Sequence, residues 1–531
     1  MITGWKTSLA LCAAILVLNG LLTLHGVWPS FGVRPSLEVS TELAALLLAA
    51  CLLAAARGGL SPPWRRGLLA CLLILIVGRY PAVTAPVVFG RDINLYWDLR
   101  HLPSVAAMMA ASVPTGWILV LAVLALLALG LTALVVLACV RALSAALARP
   151  ILRRRTAAGA ALVLGIHAAA VILDWTAVQR WFATPVTPVY ARQVAVAWHA
   201  VMDAPEDFAS TGGEERPNPD ALCGGDLILF FVESYGATVF DNPVLRQALA
   251  PRYAELSATL ASRGLHAASA RLLSPTFGGV SWLAHATLLM GVQVENAGLY
   301  ERLLASGRSG LPAAMKAMGY RTVALFPGIR SRWTEGEAYG FDTIYDAAAI
   351  GYGGPAYGWW TIPDQVSVEF LYRRELRASE RPPVFAVGAG IMSHLPFQPV
   401  PPYRPDWSTV TDPDAFPAPP VEAGIDLREA YRRSIEYELR TLNGFIAERL
   451  PADAVLVILG DHQPLRAVSG EQASAAVPAH VIAGRRDLLA PFLAAGYADG
   501  LLPDRTDAGP MVGLHDRLTT LLAEDSGCGP S

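Results

Sequence analysis

The sequence predicts an α-helical membrane domain of about five spans, followed by an α/β domain in which helices cover a mostly parallel sheet. The 531 residues are 53% hydrophobic and only 16% charged, with a mean hydropathy of +0.41. This composition is too apolar for an ordinary soluble protein. The apolar excess lies before about residue 176, whereas beyond residue 226 short apolar runs alternate with longer helical ones. That alternation is typical of a sheet covered by helices.

Five runs with almost no charge are predicted to cross the membrane, at residues 8–25, 41–56, 66–79, 115–140 and 157–174. The third run is short for a span. Arginines cluster in the loops after the second and fourth runs, from Arg57 to Arg66 and from Arg141 to Arg155. Because arginine-rich loops stay in the cytoplasm, five spans place the N-terminus inside and everything after residue 176 outside. The first run has no recognisable cleavage site and is read as an anchor.

The predicted domains are a transmembrane domain at 1–175, an interfacial linker at 176–225 and an extracytoplasmic domain at 226–531. The linker mixes tryptophans such as Trp175 and Trp181 with arginines, as in amphipathic helices that lie on a bilayer. The aromatic segment 89–101 between spans three and four has a similar character, and an interfacial anchor is favoured there over a loop that contacts substrate.

Two compositional features restrict the possible partners and crosslinks. The net charge is −3, and the chain has no basic field or nucleic-acid motif, so nucleic acid is not an expected partner. Four of the six cysteines lie in or beside the spans. The other two, Cys223 and Cys528, could form one disulfide or remain free thiols.

Polar residues follow two of the predicted strands of the α/β domain. Glu233 comes directly after the apolar run 226–232, and Asp461 and His462 follow the run 454–460. In an open α/β sheet, reactive groups gather beyond the carboxyl ends of the strands. A carboxylate at the end of a buried strand requires a partner or a cation. Oxygen and imidazole ligands together suit manganese, magnesium or zinc, so a metal site is predicted from these three residues.

A hydroxyl in the segment 274–285 is a candidate nucleophile. Ser281 follows Gly278 and Gly279 and opens an apolar, helix-like run. The start of a helix attracts phosphate through its unpaired N–H groups and its dipole. Taken alone, however, the segment favours a simple N-cap for Ser281.

The order of four motifs resembles the sulfatase/alkaline-phosphatase superfamily, and within it the membrane-anchored lipoteichoic acid synthase-like transferases. The motifs are ESYG from Glu233, SPTFGGVSW with Ser281, SHLPF with His394, and GDH with Asp461 and His462. The resemblance covers nearly the whole chain and implies an extracytoplasmic sulfatase-like domain. It also implies one divalent cation, most simply manganese, held by Glu233, Ser281, Asp461 and His462. The family usually has threonine at the position of Ser281.

The resemblance also implies a nucleophile and a set of substrate-binding residues. Ser281 is the implied nucleophile, because it follows the Gly-Gly pair, with Thr276 and Thr287 as competing hydroxyls. The substrate-binding residues would be Arg332, with Arg330 as an alternative, together with His394, Trp360 and Asp364. His285, one turn after Ser281, would lie beside the metal site.

The implied activity is transfer of a phospholipid head group to another molecule of the cell envelope. A phosphoglycerol-type donor is expected because the chain lacks the cysteine-rich outer domain of phosphoethanolamine transferases. A glycan or glycolipid would be the acceptor, at a bacterial inner membrane. Ser281 lacks the proline and arginine that follow it in formylglycine sulfatases, which argues against sulfate hydrolysis. A phosphodiester hydrolase and a non-catalytic membrane sensor remain as alternatives.

Overall fold

A computed structural model divides the chain into two compact units, Met1–Met202 and Asp203–Ser531, called here the membrane unit and the C-terminal unit. It describes residues 2–28, 30–99, 102–103, 106, 110, 115–202, 218, 221–330, 333, 335–358, 360–419, 426–503 and 507–523. The membrane unit is helical and the C-terminal unit is α/β, as the sequence predicts.

The membrane unit has one long helix for each of the five predicted runs. These helices are Ile2–Leu22, Thr41–Arg57, Pro62–Phe89, Thr115–Leu147 and Pro150–Ile172. Four of them are long and apolar enough to cross a membrane, whereas Thr41–Arg57 has only 17 residues. The third helix is twice as long as its predicted run, because Pro81 and Pro86 lie inside it without ending it. The count of five spans remains a prediction.

Shorter elements connect these helices: a hairpin of β1 (His25–Val27) and β2 (Gly32–Arg34), and the helices Leu95–Asp98, Thr176–Gln179 and Thr187–Met202. The last of these packs on a long helix through Tyr190, whose hydroxyl donates to the carbonyl of Ile74 at 2.7 Å. Gly78 makes room for this ring, since a Cβ there would lie 2.1 Å from the Tyr190 hydroxyl. The helical part of the predicted linker therefore belongs to the membrane unit.

The C-terminal unit is built on one nine-stranded sheet in the order β10-β4-β9-β8-β3-β7-β5-β6, with β11 paired to β4. β9 and β10 run antiparallel to the other strands. The strands are β3 (Leu227–Val232), β4 (His266–Leu273), β5 (Arg321–Leu325), β6 (Thr343–Tyr345), β7 (Val384–Gly390), β8 (Val455–Gly460), β9 (Ala476–Ala483), β10 (Ala498–Asp499) and β11 (Asp507–Pro510). The apolar runs 226–232, 321–326, 384–388 and 454–459 predict β3, β5, β7 and β8 from the sequence, and the other strands are not predicted.

Helices cover both faces of this sheet. They are Thr238–Asp241, Pro243–Ser262, Ser281–Met290, Ala297–Ala305, Leu311–Ala317, Ala347–Ile350, Asp364–Leu371, Leu427–Glu448, Arg466–Ser469, Ala490–Ala494 and Val512–Ala523. Shorter helical turns lie at Glu335–Tyr339, Tyr372–Leu376 and Arg486–Leu489.

Successive side chains of the central strand β3 enter two different cores, as strand geometry requires. Phe230 packs with the helices Pro243–Ser262 and Leu427–Glu448, and Phe231 packs with Ser281–Met290 and Val512–Ala523. Because both faces are covered, every residue of β3 is buried. The central strands therefore provide a rigid base for the residues that follow them.

One of the two C-terminal cysteines is crosslinked. Cys223 is disulfide-bonded, and Cys528, which the sequence analysis names as its possible partner, lies outside the described residues.

Candidate active site

Strand register brings the predicted metal ligands together. In the parallel sheet, Val232 at the end of β3 lies opposite Gly460 at the end of β8 and opposite Gly390 at the end of β7. The residues that follow, Glu233 and Asp461, therefore emerge side by side, with the segment after β7 beside them. This arrangement is the one expected at the carboxyl edge of an α/β sheet.

Main-chain hydrogen bonds hold Asp461 in place. Its Oδ1 accepts from the N–H of Ser234 at 2.8 Å and from the N–H of His462 at 2.6 Å. Ser234 has a φ of 56°, which turns its N–H toward Asp461. The other carboxylate oxygen, Oδ2, is buried and has no hydrogen-bond partner. A buried oxygen left without a donor is costly, and this oxygen is free to bind a cation.

His462 and Glu233 complete the cluster. The Nδ1 of His462 donates to the carbonyl of Gln463 at 2.8 Å, which fixes the ring and directs Nε2 toward the carboxylates. That Nε2 lies 3.1 Å from Glu233 Oε1 and 3.8 Å from Asp461 Oδ2. The ligand atoms of the three residues all lie within 4.8 Å of one another. The set of two carboxylates and one imidazole fits a divalent cation.

Ser281 directs its hydroxyl into this cluster. The hydroxyl donates to Glu233 Oε2 at 2.8 Å, and the Nε2 of His462 lies 3.2 Å from the same oxygen of Ser281. The helix that begins at Ser281 has Val280 as its N-cap residue. The simple N-cap interpretation of Ser281 is therefore wrong, because its side chain points to the predicted ligands.

The turn before Ser281 is strained. Gly278 and Gly279 have φ values of 66° and 141°, and Val280 has a φ of 65°. A β-branched residue in this region is an outlier that costs of order 1–3 kcal/mol and is typical of functional sites. The turn is fastened by a hydrogen bond of 3.0 Å from the Gly278 N–H to the carbonyl of Gln463, next to His462. The turn and the end of β8 thus place Ser281 against His462.

The competing hydroxyls are occupied elsewhere. The hydroxyl of Thr276 donates to the carbonyl of Gly279 at 2.7 Å, and that of Thr287 accepts from the N–H of Val294 at 2.9 Å. Both threonines are buried. Of the three hydroxyls, the one on Ser281 contacts Glu233 and His462.

Burial and neighbouring charges shift the pKa values of the cluster in different directions. Burial and then the Glu233 carboxylate raise the pKa of Asp461 well above its ordinary value. Burial alone would lower the pKa of His462, but Asp461 and Glu233 raise it to about 9. Burial alone would raise the pKa of Glu233, but His462 and His394 lower it below its ordinary range. The two carboxylates therefore stabilise a positive charge between them, whether a proton or a metal ion.

Two predicted substrate residues lie together beyond β7. The ring of Trp360 packs edge-on against the imidazole of His394, with 4.5 Å between the ring centroids. His394 Nδ1 donates to the carbonyl of Leu395 at 2.6 Å, and both rings are half-buried. Since His394 lowers the pKa of Glu233, it lies within electrostatic range of the cluster. Substrate contact for this pair remains a prediction.

Asp364 occupies a different place from the one expected of a substrate residue. Its side chain is fully buried, and its Oδ2 accepts from the N–H groups of Ile391 and Met392 at 2.9 and 2.7 Å. The carboxylate therefore supports the segment after β7 from inside the protein, and it has no surface to offer a substrate.

The arginines and His285 complete the set of predicted residues. Arg332 lies outside the described residues, and Arg330 is exposed. His285 packs against the rings of Phe231 and Phe326, at centroid distances of 4.3 and 5.5 Å. Burial lowers its pKa to about 4, so the imidazole is neutral. His285 and Ser281 lie one turn apart on the same helix. A place for His285 beside a metal ion remains a prediction.

Two serines fix the residues that follow β3 and β8. Neither was predicted as a site residue. Ser393 donates its hydroxyl to the carbonyl of Glu233 at 2.6 Å, and Ser274 donates to the carbonyl of Asp461. Both serines are buried. Their position inside the motifs SHLPF and SPTFGGVSW is the only signal of this role in the sequence.

No family model and no curated protein matches this sequence. Solved structures do match it. The integral membrane lipooligosaccharide phosphoethanolamine transferase A (EptA) from Neisseria meningitidis is 12% identical, covering 97% of this chain and 95% of that chain with a TM-score of 0.48. The lipoteichoic acid synthase LtaP from Listeria monocytogenes is 16% identical, covering 57% and 73% with a TM-score of 0.38.

A third match is the phosphoglycerol transferase GacH from Streptococcus pyogenes, solved with sn-glycerol-1-phosphate. It is 10% identical, and the match covers 58% of this chain and 87% of that chain with a TM-score of 0.34. Another matched structure is a protein of the alkaline phosphatase superfamily from Vibrio parahaemolyticus, which is 16% identical with a TM-score of 0.37. At such identities the likeness concerns the fold, and each named activity belongs to the matched protein.

Proposed function

We propose that the protein transfers the head group of a phospholipid, of the phosphoglycerol type, through a covalent intermediate on Ser281 to a hydroxyl of an envelope glycan or glycolipid. The observation that carries this proposal is the position of the Ser281 hydroxyl, hydrogen-bonded to Glu233 and next to His462. A serine becomes a nucleophile when a neighbouring base or metal ion lowers the pKa of its hydroxyl.

The buried cluster supports a dependence on one divalent ion. Glu233, Asp461, His462 and Ser281 would hold it, with manganese as the first candidate and magnesium or zinc as alternatives. Such an ion activates the hydroxyl and neutralises the charge that develops on a phosphoryl group. The Oδ2 of Asp461 supports this assignment, because it is a buried carboxylate oxygen without a hydrogen-bond partner.

The first half-reaction exchanges one phosphate ester for another. Ser281 Oγ attacks the phosphorus of the donor lipid, and the bond from phosphorus to the diacylglycerol oxygen breaks. The proton that leaves Ser281 passes to solvent, and the released diacylglycerol oxygen gains a proton in exchange. His394, which lies within electrostatic range of Glu233, would contact the substrate.

The second half-reaction restores the enzyme. An acceptor hydroxyl attacks the phosphoryl group on Ser281, the bond from phosphorus to Oγ breaks, and the acceptor proton returns to Ser281. A sugar hydroxyl as acceptor makes the protein a transferase, and water makes it a phosphodiester hydrolase. The same residues serve both reactions, so the acceptor decides between them.

The membrane unit supports a lipid donor. Four of its helices are long and apolar enough to cross a bilayer, and a lipid head group must be reached at the membrane surface. The arginine-rich loops favour the periplasmic or extracellular side for the C-terminal unit, and the resemblance favours a bacterial inner membrane. Such a location gives access both to the phospholipid donor and to envelope glycans.

The proposal is tested by trapping the intermediate. Full-length protein in phosphatidylglycerol vesicles, with manganese and with ³²P in the lipid head group, is denatured and examined for label and for a modified Ser281 peptide. We expect a phosphoglycerol adduct on the wild type and on Ser262→Ala, whose exposed hydroxyl donates to the carbonyl of Thr259. Ser281→Ala should carry none. A wild type without adduct, or an adduct on Ser281→Ala, would contradict the proposal.

The acceptor is identified in the same preparation. Without added glycan, a hydrolase releases free glycerol phosphate continuously, whereas a transferase stops after one equivalent of diacylglycerol per protein. Addition of a glycolipid acceptor should then restart diacylglycerol release from the transferase.

A further inference from the structure

A buried pair of acids lies behind the segment that follows β7. Asp364 opens the helix Asp364–Leu371, and Glu438 lies in the middle of the helix Leu427–Glu448. Their relative exposures are 0% and 1%. Each carboxyl group is among the largest influences on the pKa of the other, and Glu233 adds a second negative charge near Asp364. Two carboxyl groups thus share a closed, low-dielectric space.

The two acids differ in their hydrogen bonds. Asp364 is supplied with donors, because both of its oxygens lie 2.9 Å from the Ile391 nitrogen and its Oδ2 lies 2.7 Å from the Met392 nitrogen. Neither oxygen of Glu438 makes a hydrogen bond of good geometry. The N–H groups of Ser393 and Met392 lie close enough to lower the pKa of Glu438, but burial and Asp364 raise it by more. The Oε2 of Glu438 lies close to the backbone of β7, since a Cβ added to Gly390 would be 3.0 Å from this oxygen. An ionised, unpaired carboxylate here would cost several kcal/mol.

The described side chains that share a small cavity with Glu438 supply no positive charge. Tyr235, Tyr253 and His480 line that cavity. His480 is neutral, since burial lowers its pKa to about 4, and it contacts the Tyr235 hydroxyl through Nε2 at 3.0 Å. Tyr437, next along the helix, accepts from the N–H of Gln365 at 3.2 Å.

Protonation of Glu438 removes the cost of burying an ionised, unpaired carboxylate. A neutral Glu438 becomes a donor to Asp364, which remains the acceptor for the two N–H groups. Burial raises the pKa of Asp364. Burial and then Asp364 raise the pKa of Glu438 well above its ordinary value. The pair then carries one negative charge and one proton, as in other sites where two carboxyl groups are in contact.

We propose that Glu438 is a positioning residue, a neutral acid that donates a hydrogen bond to Asp364 and so fixes the segment 391–394 against Glu233. The connection runs through the backbone. Asp364 holds the N–H groups of Ile391 and Met392, and the next residue, Ser393, donates to the carbonyl of Glu233 at 2.6 Å. The N–H of Glu233 in turn donates to the carbonyl of Gly390 at 3.2 Å. The functional part of this inference rests on the proposed role of Glu233 as a metal ligand.

The protonated acid is tested by infrared spectroscopy of the full-length protein at neutral pH. The carbonyl stretch of a neutral carboxylic acid is separate from that of a carboxylate, and we expect it in the wild type. Because the pKa of Asp461 is also raised, the band is read in the difference spectrum between the wild type and Glu438→Gln, which should show the loss of one carboxylic acid. The matched control Glu448→Gln, at the exposed end of the same helix, should show no such loss. A wild type without the band, or a band of undiminished intensity in Glu438→Gln, would overturn the proposal.

The positioning role is tested by manganese binding, measured by calorimetry. Glu438→Gln keeps a donor for Asp364 and should bind manganese within about twofold of the wild type, whereas Glu438→Leu should bind about 10–100-fold more weakly, as when partners behind a metal ligand are removed. Equal affinities for the two variants would refute the role. If Glu438→Leu fails to fold, Asp364→Asn is used instead, and unchanged manganese affinity in that variant would refute it. Failure of lipid transfer with the infrared band intact would count against the proposed function alone.

Discussion

Replacement of Asp461 by asparagine should separate the two roles of this side chain. The variant Asp461→Asn keeps an oxygen in place of Oδ1, so the hydrogen bonds from the N–H groups of Ser234 and His462 remain possible. The amide nitrogen takes the place of Oδ2, which is buried and unpartnered. The change therefore removes one charge and one predicted metal ligand while the hydrogen bonds to the local backbone are kept. In the metal-free protein, one fewer buried carboxylate beside Glu233 should raise the unfolding temperature.

The magnitude of the metal effect follows from linkage. Manganese at about 100 times the wild-type dissociation constant stabilises the protein by about 2.7 kcal/mol. Loss of a partner behind a ligand weakens binding by about 10–100-fold, and loss of the ligand itself should weaken it at least as much as the upper value. At the same metal concentration, the Asp461→Asn variant would then gain only about 0.4 kcal/mol.

Thermal unfolding of the full-length protein in detergent, followed by tryptophan fluorescence with and without manganese, measures both effects. Asp453→Asn, an exposed acid near the start of β8, is the matched control and should behave as the wild type. If manganese stabilises Asp461→Asn as much as the wild type, Asp461 is not a ligand. A lower unfolding temperature for the metal-free variant would refute the assumed repulsion.

Two further substitutions test the packing and the ion pairing of the sheet that carries the site. Gly460→Ala should destabilise the protein by about 3 kcal/mol or more, because its Cβ would lie 1.8 Å from the carbonyl oxygen of Tyr235. Gly353→Ala, with nothing within 4 Å, should change the urea midpoint little, and equal midpoints for the two variants would contradict this account. Arg381→Ala should cost about 3–5 kcal/mol, because it leaves the buried carboxylate of Asp226 without its two hydrogen bonds from the guanidinium. An unchanged urea midpoint would show that this ion pair is dispensable.

The central strands were predictable because burial on both faces gives them an unbroken apolar sequence. β3 and β8 each begin within one residue of the predicted start. β4 and β9 were not predicted, because alanine, arginine and histidine interrupt their apolar pattern and alanine favours helix. Their strand form comes from pairing with each other along eight residues. Such tertiary pairing leaves little trace in a local sequence window.

The grouping of the three predicted metal ligands was predictable for a related reason. Glu233, Asp461 and His462 each follow an apolar strand at the same edge of a parallel sheet, so topology alone brings them together. The role of Asp364 was not predictable, because its partners are backbone N–H groups, which any residue carries. Glu438 was missed because it lies in a helix rich in charged residues, where a glutamate is usually exposed.

The main-chain hydrogen bonds around the cluster have an evolutionary consequence. Asp461 accepts hydrogen bonds from two main-chain N–H groups, and His462 donates one to the carbonyl of Gln463. The N–H of Glu233 donates to the carbonyl of Gly390. Backbone groups are the same in every residue, so many neighbouring side chains can change without moving the cluster. Selection would then act mainly on the cluster itself, on the few serines and buried acids that fasten it, and on a few glycines. Chains with such a cluster can therefore diverge far in sequence while its arrangement persists.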